Sequence, residues 1–386
     1  MKSQFKIIVV MLITSLNIQA QVKNVYNKSF DAQNIKTLAL NLDKCFVSIE
    51  ISNDNNIHFD YTAEFNNYSK NKVAEYLEKI TVSSEIIGDK LEFSTKSEVN
   101  FGVVYTFESH YGITFEGDHI VFKKTSNREF RKSKQYFLSL NSSSRGKSIK
   151  EYLKNLREVN SNGKKKKINI KNVKTVKTKF VIRIPKHINL NIVANNSNLD
   201  IKEDFNNQIT VKAKDTELKF KNLKNPLNDF DIENGNFRCN AVYGGSYKFN
   251  HVKKVQVSEL SNLKIESELT GFNIGEIGTN VEINDFNSKF WLHNFSKDFT
   301  SFKMNTEYSE INLFHPENMT YLLTTFGHDT VHFIDNISTE IGPSKENQSS
   351  KMVVFGDESK TYSNKIEIKS KHGIIRFGKD FIDFEP

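Results

Sequence analysis

The densest group of chemically competent side chains in this chain is a run of four lysines. The run consists of Lys164, Lys165, Lys166 and Lys167. It lies within residues 123–179, which hold 19 Lys and Arg against three acidic residues, a local charge of +16 in a chain of net charge +8. A cationic arm of this kind binds acidic polymers because it releases their counterions. The same pattern is also typical of a solvated insertion loop. Aromatic residues are not interleaved with the lysines, which disfavours specific nucleic-acid recognition.

The single tryptophan is the second candidate. Trp291 lies between Phe290 and Leu292, so in a strand it faces outward when its neighbours face inward. An exposed indole beside Phe286 or Phe295 could stack on a sugar ring, whereas packing beneath a neighbouring loop is the alternative. Trp291 for glycans and the four lysines for polyanions are the site residues that the sequence predicts.

No motif specifies a reaction. His328 and His332 are spaced to share a metal on a helix, but Val331 and Phe333 predict a strand whose apolar side faces inward. On a strand the two imidazoles are about 13 Å apart, which indicates surface residues. We predict no catalytic, cofactor-binding or metal-binding residue, and no cofactor.

Acidic residues of neighbouring repeats could stack into a ladder that holds calcium. Carboxylates at the strand spacing of about 4.8 Å repel one another unless a cation lies between them. Lysines alternate with them, which predicts a solvated, charge-balanced face; the residues are Asp200, Glu203, Asp204, Asp215 and Glu217, with Lys202, Lys212, Lys214 and Lys219.

The N-terminus has the pattern of a secretory signal. Basic residues precede the apolar stretch 7–16, which is too short to span a bilayer, and Ala20 suits a cleavage site. An uncleaved anchor is the alternative. No apolar run after the cleavage site approaches the length of a membrane span, so we predict export to the periplasm or the cell surface. Cys45 and Cys239 share strand parity with apolar neighbours and are predicted to be core thiols rather than a disulfide.

From Ile188 onward one unit recurs: an alternating strand, a polar turn and a second alternating strand. Successive turns are about 17 to 29 residues apart, a spacing typical of the coils of a β-solenoid. The predicted turns lie near Ser197, Thr216, Gly235, Ser261, Ser288, Ser309, Gly327, Gly356 and Gly373. Inward pairs follow most turns: Leu199/Ile201, Leu218/Phe220, Phe237/Cys239, Leu263/Ile265, Phe290/Leu292, Ile311/Leu313, Val331/Phe333 and Ile375/Phe377.

The remaining segments divide the chain into four parts. Residues 1–20 are the signal peptide, and residues 21–96 carry strands, a short amphipathic helix around Val73 and a hairpin at Gly88. Residues 97–178 form the inserted basic subdomain, which includes a predicted helix from Ile149 to Val159. Residues 179–386 hold the repeats.

A resemblance to a known group rests on three segments, 180–185 (FVIRIP), 188–192 and 196–201. They resemble the DUF4097-like and the head-domain-like auto-transporter adhesins of Bacteroidota. The resemblance covers residues 38–65 and 178–380, and it implies a right-handed single-stranded β-helix that is exported and non-enzymatic. The basic insert departs from the family pattern.

We therefore expect an all-β protein: a right-handed single-stranded β-solenoid (β-helix) with a short N-terminal capping helix and an inserted basic subdomain. The expected function is that of a structural or adhesion-type protein that binds acidic polysaccharide, lipopolysaccharide or another cell-envelope polymer. The alternative is a carbohydrate-active β-helix that binds or cleaves acidic polysaccharides. The sequence does not predict an oligomeric state.

Overall fold

A computed structural model describes residues 21–99, 103–109, 112–115, 134–140, 156–159, 165–167, 174–314, 320–334, 340–344, 347–355 and 361–378. The predicted signal peptide, Lys164 and the predicted turn at Gly356 lie outside these residues.

The described chain is β-structure apart from one helix, α1 (Lys70–Leu77), and none of its helices is long and apolar enough to cross a membrane. The N-terminal strands are β1 (Gln21–Asp31), β2 (Thr37–Asp43), β3 (Phe46–Ile51), β4 (Asn56–Asn66), β5 (Ile80–Ile87), β6 (Lys90–Ser97), β7 (Val103–Ser109), β8 (Gly112–Phe115), β9 (Lys134–Leu140), β10 (Leu156–Val159), β11 (Lys165–Lys167) and β12 (Lys174–Ile184). The next are β13 (Asn189–Asn195), β14 (Asn198–Ile201), β15 (Ile209–Leu223), β16 (Asp229–Asn250), β17 (Lys254–Glu268), β18 (Gly271–Ile277), β19 (Val281–Phe286) and β20 (Lys289–Leu292). The last are β21 (Ser301–Glu307), β22 (Glu310–Phe314), β23 (Leu322–His328), β24 (Val331–Ile334), β25 (Glu340–Ser344), β26 (Asn347–Phe355), β27 (Lys365–Lys371) and β28 (Ile374–Gly378).

Of these strands, 25 belong to one mixed sheet that is not closed, and β8, β10 and β11 form a separate three-stranded sheet. The prediction of an all-β protein is confirmed. In the middle of the large sheet the pairing is parallel. For example, β13 pairs with both β2 and β15, and β19 pairs with both β17 and β21. We call this part the parallel stack, and we call each strand–corner–strand unit in it a coil.

Each coil turns at a residue in the left-handed backbone conformation. This conformation is unusual for residues other than glycine and is best tolerated by Asn and Asp. The corner residues, in the order in which the coils stack, are Lys44, Asn196, Asp215, Asn234, His251, Leu269, Asn287, Tyr308, His372 and Asp329. The amide of most of them donates to a carbonyl of the next coil, as Leu269 N–H does to Phe286 at 3.0 Å.

The residue after each corner faces inward and is in most coils a small polar residue. Its hydroxyl donates to the carbonyl two residues earlier, as in Thr270 to Glu268 at 2.9 Å. It also accepts the amide of the equivalent residue in the preceding coil, as from Val252 at 3.2 Å. Bonds of the second type join residues 18 to 21 positions apart: Ser197 to Thr216, Val252 to Thr270, Thr270 to Ser288 and Ser288 to Ser309. We call this series the hydroxyl ladder.

Two positions beyond the inward residue that follows each corner, or three in the coil of Val252, apolar side chains pair in one continuous column of the core. The column contains Val47, Leu199, Leu218, Phe237, Val255, Phe272, Phe290, Ile311 and Ile375. All are at most 2% exposed, which confirms the predicted burial of Phe237, Phe290 and Ile311. The rings of Phe272 and Phe290 stack face to face with centroids 4.5 Å apart.

Antiparallel strands occupy the N-terminal end of the stack. The predicted hairpin is confirmed by the pairing of β5 with β6, and β4 pairs with both β1 and β12. The predicted helix is confirmed as α1, whose Val73 packs in a small second cluster with Ala63, Phe65 and Val176.

The C-terminal coils do not stack in chain order. Strand β27 pairs in parallel with β21 on one side and with β23 on the other. Strand β28 likewise lies between β22 and β24. Residues 365–378 are therefore inserted between two coils that precede them in the sequence.

Several predictions of detail are wrong. The corner at His251 was not predicted, whereas the turn predicted near Ser261 is present as a second bend at Asn262, whose amide donates to Thr279 at 2.7 Å. The last described corner is Asp329, with Thr330 and not Gly327 in the inward position. Since Thr330 then takes the inward position, β24 has the opposite parity to the predicted one: Val331 and Phe333 are about half exposed, while His332 pairs with Ile375. In the segment 149–159, for which a helix was predicted, Leu156–Val159 instead forms the strand β10. Residues 149–155 lie outside the described part of the chain.

Both cysteines are free and buried, as predicted. Burial raises the pKa of the Cys45 thiol to about 12, so it stays protonated and unreactive.

One core column changes from apolar to polar along the stack. Ala194, Ala213 and Ile232 occupy it in early coils, whereas Ser267, Asp285 and Thr306 pair in later ones. Asp285 is 9% exposed and accepts hydrogen bonds from the hydroxyls of Ser267 and Ser309 and from the amide of Ser288. Burial nevertheless raises its pKa, so the carboxylate is less stable here than in water.

Replacing Phe290 by Ala should lower the free energy of unfolding by about 3–5 kcal/mol, because it leaves a cavity in the apolar column. Phe286, which is 43% exposed on the other side of the Asn287 corner in the same coil, is the matched control. Its replacement by Ala should cost less than about 1 kcal/mol in urea denaturation. Equal losses for the two variants would contradict the assignment of the column as the core.

Replacing Asp285 by Asn should raise the melting temperature at neutral pH. Because the folded-state pKa of Asp285 lies above its unfolded value, its contribution to stability is complete below the unfolded pKa and is lost as the pH rises through the folded pKa. The difference between variant and wild type should therefore vanish in acid. Calorimetric melting at a series of pH values measures this, with Asp231→Asn, on the outer surface, as the control. A destabilised D285N protein at pH 7 would show that the three hydrogen bonds outweigh desolvation.

Candidate functional site

The outer surface of the strands that follow the corners carries Trp291. On these strands Gln256 pairs with Asn273, Asn273 with Trp291, and Trp291 with Asn312. Gln256, Asn273 and Trp291 have buried neighbours in their strands, as Trp291 has in Phe290 and Leu292, so period-two alternation turns them outward. Asn312 continues the column but is fully buried. The amide of Asn312 donates to the Phe290 carbonyl at 3.0 Å and holds the column against the strand beneath it.

Three aromatic rings of adjacent coils gather on this surface. Trp291 is half-buried, and its ring lies 6.3 Å from that of Phe314. The exposed ring of His293 stacks on Phe314 at 5.0 Å. Partial burial lowers the pKa of His293, so at neutral pH this ring is uncharged. We call the surface formed by Gln256, Asn273, Trp291, His293 and Phe314 the Trp291 face.

Basic side chains border the Trp291 face but are neutralised. The ammonium of Lys289 lies 5.4 Å from the centroid of the Trp291 ring, a cation–π distance, and 3.4 Å from Glu310. Arg376 also forms an ion pair with Glu310. The surface is therefore aromatic and amide-rich with little net charge.

A groove of about 660 Å³ opens immediately beside the Trp291 face. One wall is formed by Glu259, Glu276 and Asn294, which follow Ser258, Gly275 and His293 in successive coils. Glu259 pairs with Glu276, so the two carboxylates lie on neighbouring strands. We call this cavity the acidic groove.

Small residues form the floor of the acidic groove. Ser261 and Ser296 line it, and Gly278 lies between them in the stack. A Cβ at Gly278 would come within 1.9 Å of the Ser261 hydroxyl, so glycine keeps the floor open. Tyr243 pairs with Ser261 and closes one end.

The groove carboxylates are held by neutral donors. The Tyr243 hydroxyl donates to Glu259 Oε2 at 2.8 Å, and this bond raises the pKa of Tyr243. Asn294 Nδ2 donates to Glu276 Oε2 at 3.5 Å. Together these contacts fix two acceptor groups along one wall.

The structure brings together only part of the predicted site. Trp291 lies on an accessible outer surface, as its parity predicts. Lys165, Lys166 and Lys167 form β11, which pairs with β10, and their side chains lie outside the described part of the chain, as does all of Lys164. The polyanion-binding role of the four lysines stays a prediction.

The predicted charge-balanced face is confirmed on the early coils. Lys219 lies 3.5 Å from Asp200, Lys214 lies 2.7 Å from Glu233, and Lys221 lies 3.2 Å from Asp204. The described residues contain no group of three metal-ligating side chains.

The acidic groove was not predicted from the sequence. Its signal is the recurrence of two successive outward residues, Ser258-Glu259, Gly275-Glu276 and His293-Asn294, where strict alternation allows one. Each pair marks a second bend of the coil, and the bends together make the wall.

No family model matches the chain, and no curated protein matches it. A solved structure of a candidate cell adhesion protein from Clostridium sporogenes aligns with 94% of this chain and 100% of its own, at 10% identity and a TM-score of 0.20. A TM-score this low carries no argument about fold or function.

Proposed function

We propose that this chain is an exported, adhesion-type protein without catalytic activity, which binds polysaccharide on the Trp291 face. The observation that carries the proposal is the half-buried indole, grouped with His293 and Phe314 beside an open polar groove. Aromatic rings offer apolar faces, and neighbouring amides offer donors and acceptors, which is the combination that sugar rings require. The export signal at residues 1–20 supports a location in the periplasm or at the cell surface.

The proposed scaffold is a right-handed single-stranded β-solenoid. Its support is the recurrence of an equivalent corner in every coil, with parallel pairing between coils and inward residues in continuous columns. Such a stack presents a broad wall, on which one coil adds one row of outward side chains. A polymer lying along the wall would contact several coils at once.

The absence of catalysis is part of the proposal. A general acid needs a carboxyl group whose pKa is raised towards neutrality and which faces the substrate. Among the described residues, burial raises the pKa of the Asp285 carboxyl, and this group faces the core. The alternative function, cleavage of acidic polysaccharides, gains no support from the acidic groove, because its carboxylates repel a polyanion.

Replacing Trp291 by Ala should reduce retention by immobilised polysaccharides at least about tenfold, since loss of an aromatic contact is worth more than 1 kcal/mol. Affinity electrophoresis against a panel of neutral, acidic and amine-bearing polysaccharides measures this. Because Trp291 is the single tryptophan, its fluorescence reports binding directly in the wild type.

Phe286→Ala is the matched control, since it removes an exposed aromatic ring from a different edge of the stack. The proposal would be contradicted if no polysaccharide of the panel retained the wild-type protein. It would also be contradicted if the Trp291 and Phe286 variants were retained equally.

Binding of acidic polymers through the lysine run is a separate prediction. Replacing Lys164, Lys165, Lys166 and Lys167 by Gln should weaken binding to heparin. It should also lower the salt dependence of binding, because fewer contacts between lysines and anions release fewer counterions. The melting temperature should not fall, because exposed charges add little stability. The control replaces four exposed lysines of the stack, Lys254, Lys264, Lys303 and Lys365. If the two variants bind heparin equally, the prediction is wrong, and the lysine run is a solvated segment.

A further inference from the structure

The acidic groove differs from the charged face of the early coils in its charge pairing. On the early coils, acidic residues face lysines at ion-pair distance, as Glu50 faces Lys202 at 2.9 Å and Glu233 faces Lys214 at 2.7 Å. Glu259 and Glu276 have no ion pair within the described chain, although they lie on neighbouring strands about 4.8 Å apart. Two adjacent carboxylates without a cation repel each other, so a positively charged ligand between them would be stabilised.

A buried hydroxyl in the groove is also without a partner. Ser296 lines the cavity, and its hydroxyl is buried without a hydrogen-bond partner among the described residues. Most buried polar side chains in native proteins are hydrogen-bonded, so such a group points to a ligand that supplies the bond.

We infer that the acidic groove binds the amine-bearing sugars of a polysaccharide, an inference that rests on the proposed function of the Trp291 face. The protonated amine of an amino sugar donates charge-assisted hydrogen bonds to Glu259 and Glu276. Its hydroxyl groups reach Ser296 and Asn294, and Asn294 is three residues from Trp291 on the same coil. The groove and the aromatic face thus form one continuous surface.

The charge of the groove excludes the opposite class of ligand. Glu259, Glu276 and Asp298 line it against a single lysine, Lys297. Uronic acids and sulfated sugars would bring further negative charge into this cavity, at a cost that salt screens only partly. Neutral sugars would meet no repulsion but would leave both carboxylates without a cation. The geometry therefore selects a cationic glycan.

The test compares binding of short chitosan oligomers, which carry free amines, with that of chitin oligomers of the same length, whose amines are acetylated. Titration calorimetry on the full-length protein should show the chitosan oligomer binding at least about tenfold more tightly, the value expected for a hydrogen bond to a charged group. This preference should fall when the pH is raised until the amine is neutral. It should also fall in the double variant Glu259→Gln, Glu276→Gln.

The control double variant is Glu266→Gln, Glu282→Gln, which makes the same charge change on a different outer surface. It should keep the preference, and Trp291→Ala should weaken the binding of both oligomers alike. Equal binding of the two oligomers by wild type, or an unchanged preference in the Glu259/Glu276 variant, would overturn the inference. The proposed function would stand in that case if binding still depended on Trp291. Binding of no polysaccharide by folded wild-type protein would overturn both.

Discussion

The architecture depends on how each coil satisfies its backbone at the corner. When the chain turns inside a packed core, the amide of the inward residue loses its strand partner, and an unpaired buried amide costs free energy. Here the hydroxyl of the next coil accepts that amide, as Thr270 does for Val252 and Ser288 does for Thr270. The same hydroxyl binds its own coil two residues back. Each corner in the hydroxyl ladder therefore depends on its neighbour, and this favours one register for the strands that follow.

A fixed register has a consequence for the outer surface. The inward columns can change only within the limits of packing, whereas outward columns are free to differ from coil to coil. The early coils use that freedom for paired charges, such as Lys219 with Asp200. The later coils use it for Trp291, the amide of Asn273, and the unpaired Glu259 and Glu276. The chemistry of the wall thus varies along an axis of constant geometry.

Strand parity explains why much of the fold could be predicted from the sequence. Phe290 and Leu292 alternate with Trp291, and both the burial and the outward position follow from period two. Corner positions were harder to predict, because the turn before Val252 lacks a Ser, Thr or Gly at the inward position. Ser261 resembles such a residue but belongs to the groove floor.

The parity of β24 illustrates the same limit, since moving the inward turn residue from Gly327 to Thr330, an odd number of positions, reverses every side chain after it. The acidic groove depends on bends shared by three coils, and no single segment of sequence contains that information. The order of the C-terminal coils is likewise a long-range property, set by pairings between residues that are far apart in the sequence, such as Thr330 with Ser370, 40 positions apart.

That order bears on how the molecule assembles. Residues 322–334 leave the ribosome before residues 365–378, yet they pair with these later residues and not with the coil that precedes them. Until β27 and β28 exist, β21 and β22 present unpaired edges to which β23 and β24 could bind in their place. A chain that folded strictly from its N-terminus would risk this shortcut, which is a non-native trap of the kind that long-range pairing invites. Correct assembly of this end therefore requires the last described coil. The antiparallel pair β25–β26, which extends the edge of β23, connects β24 to β27 along the chain.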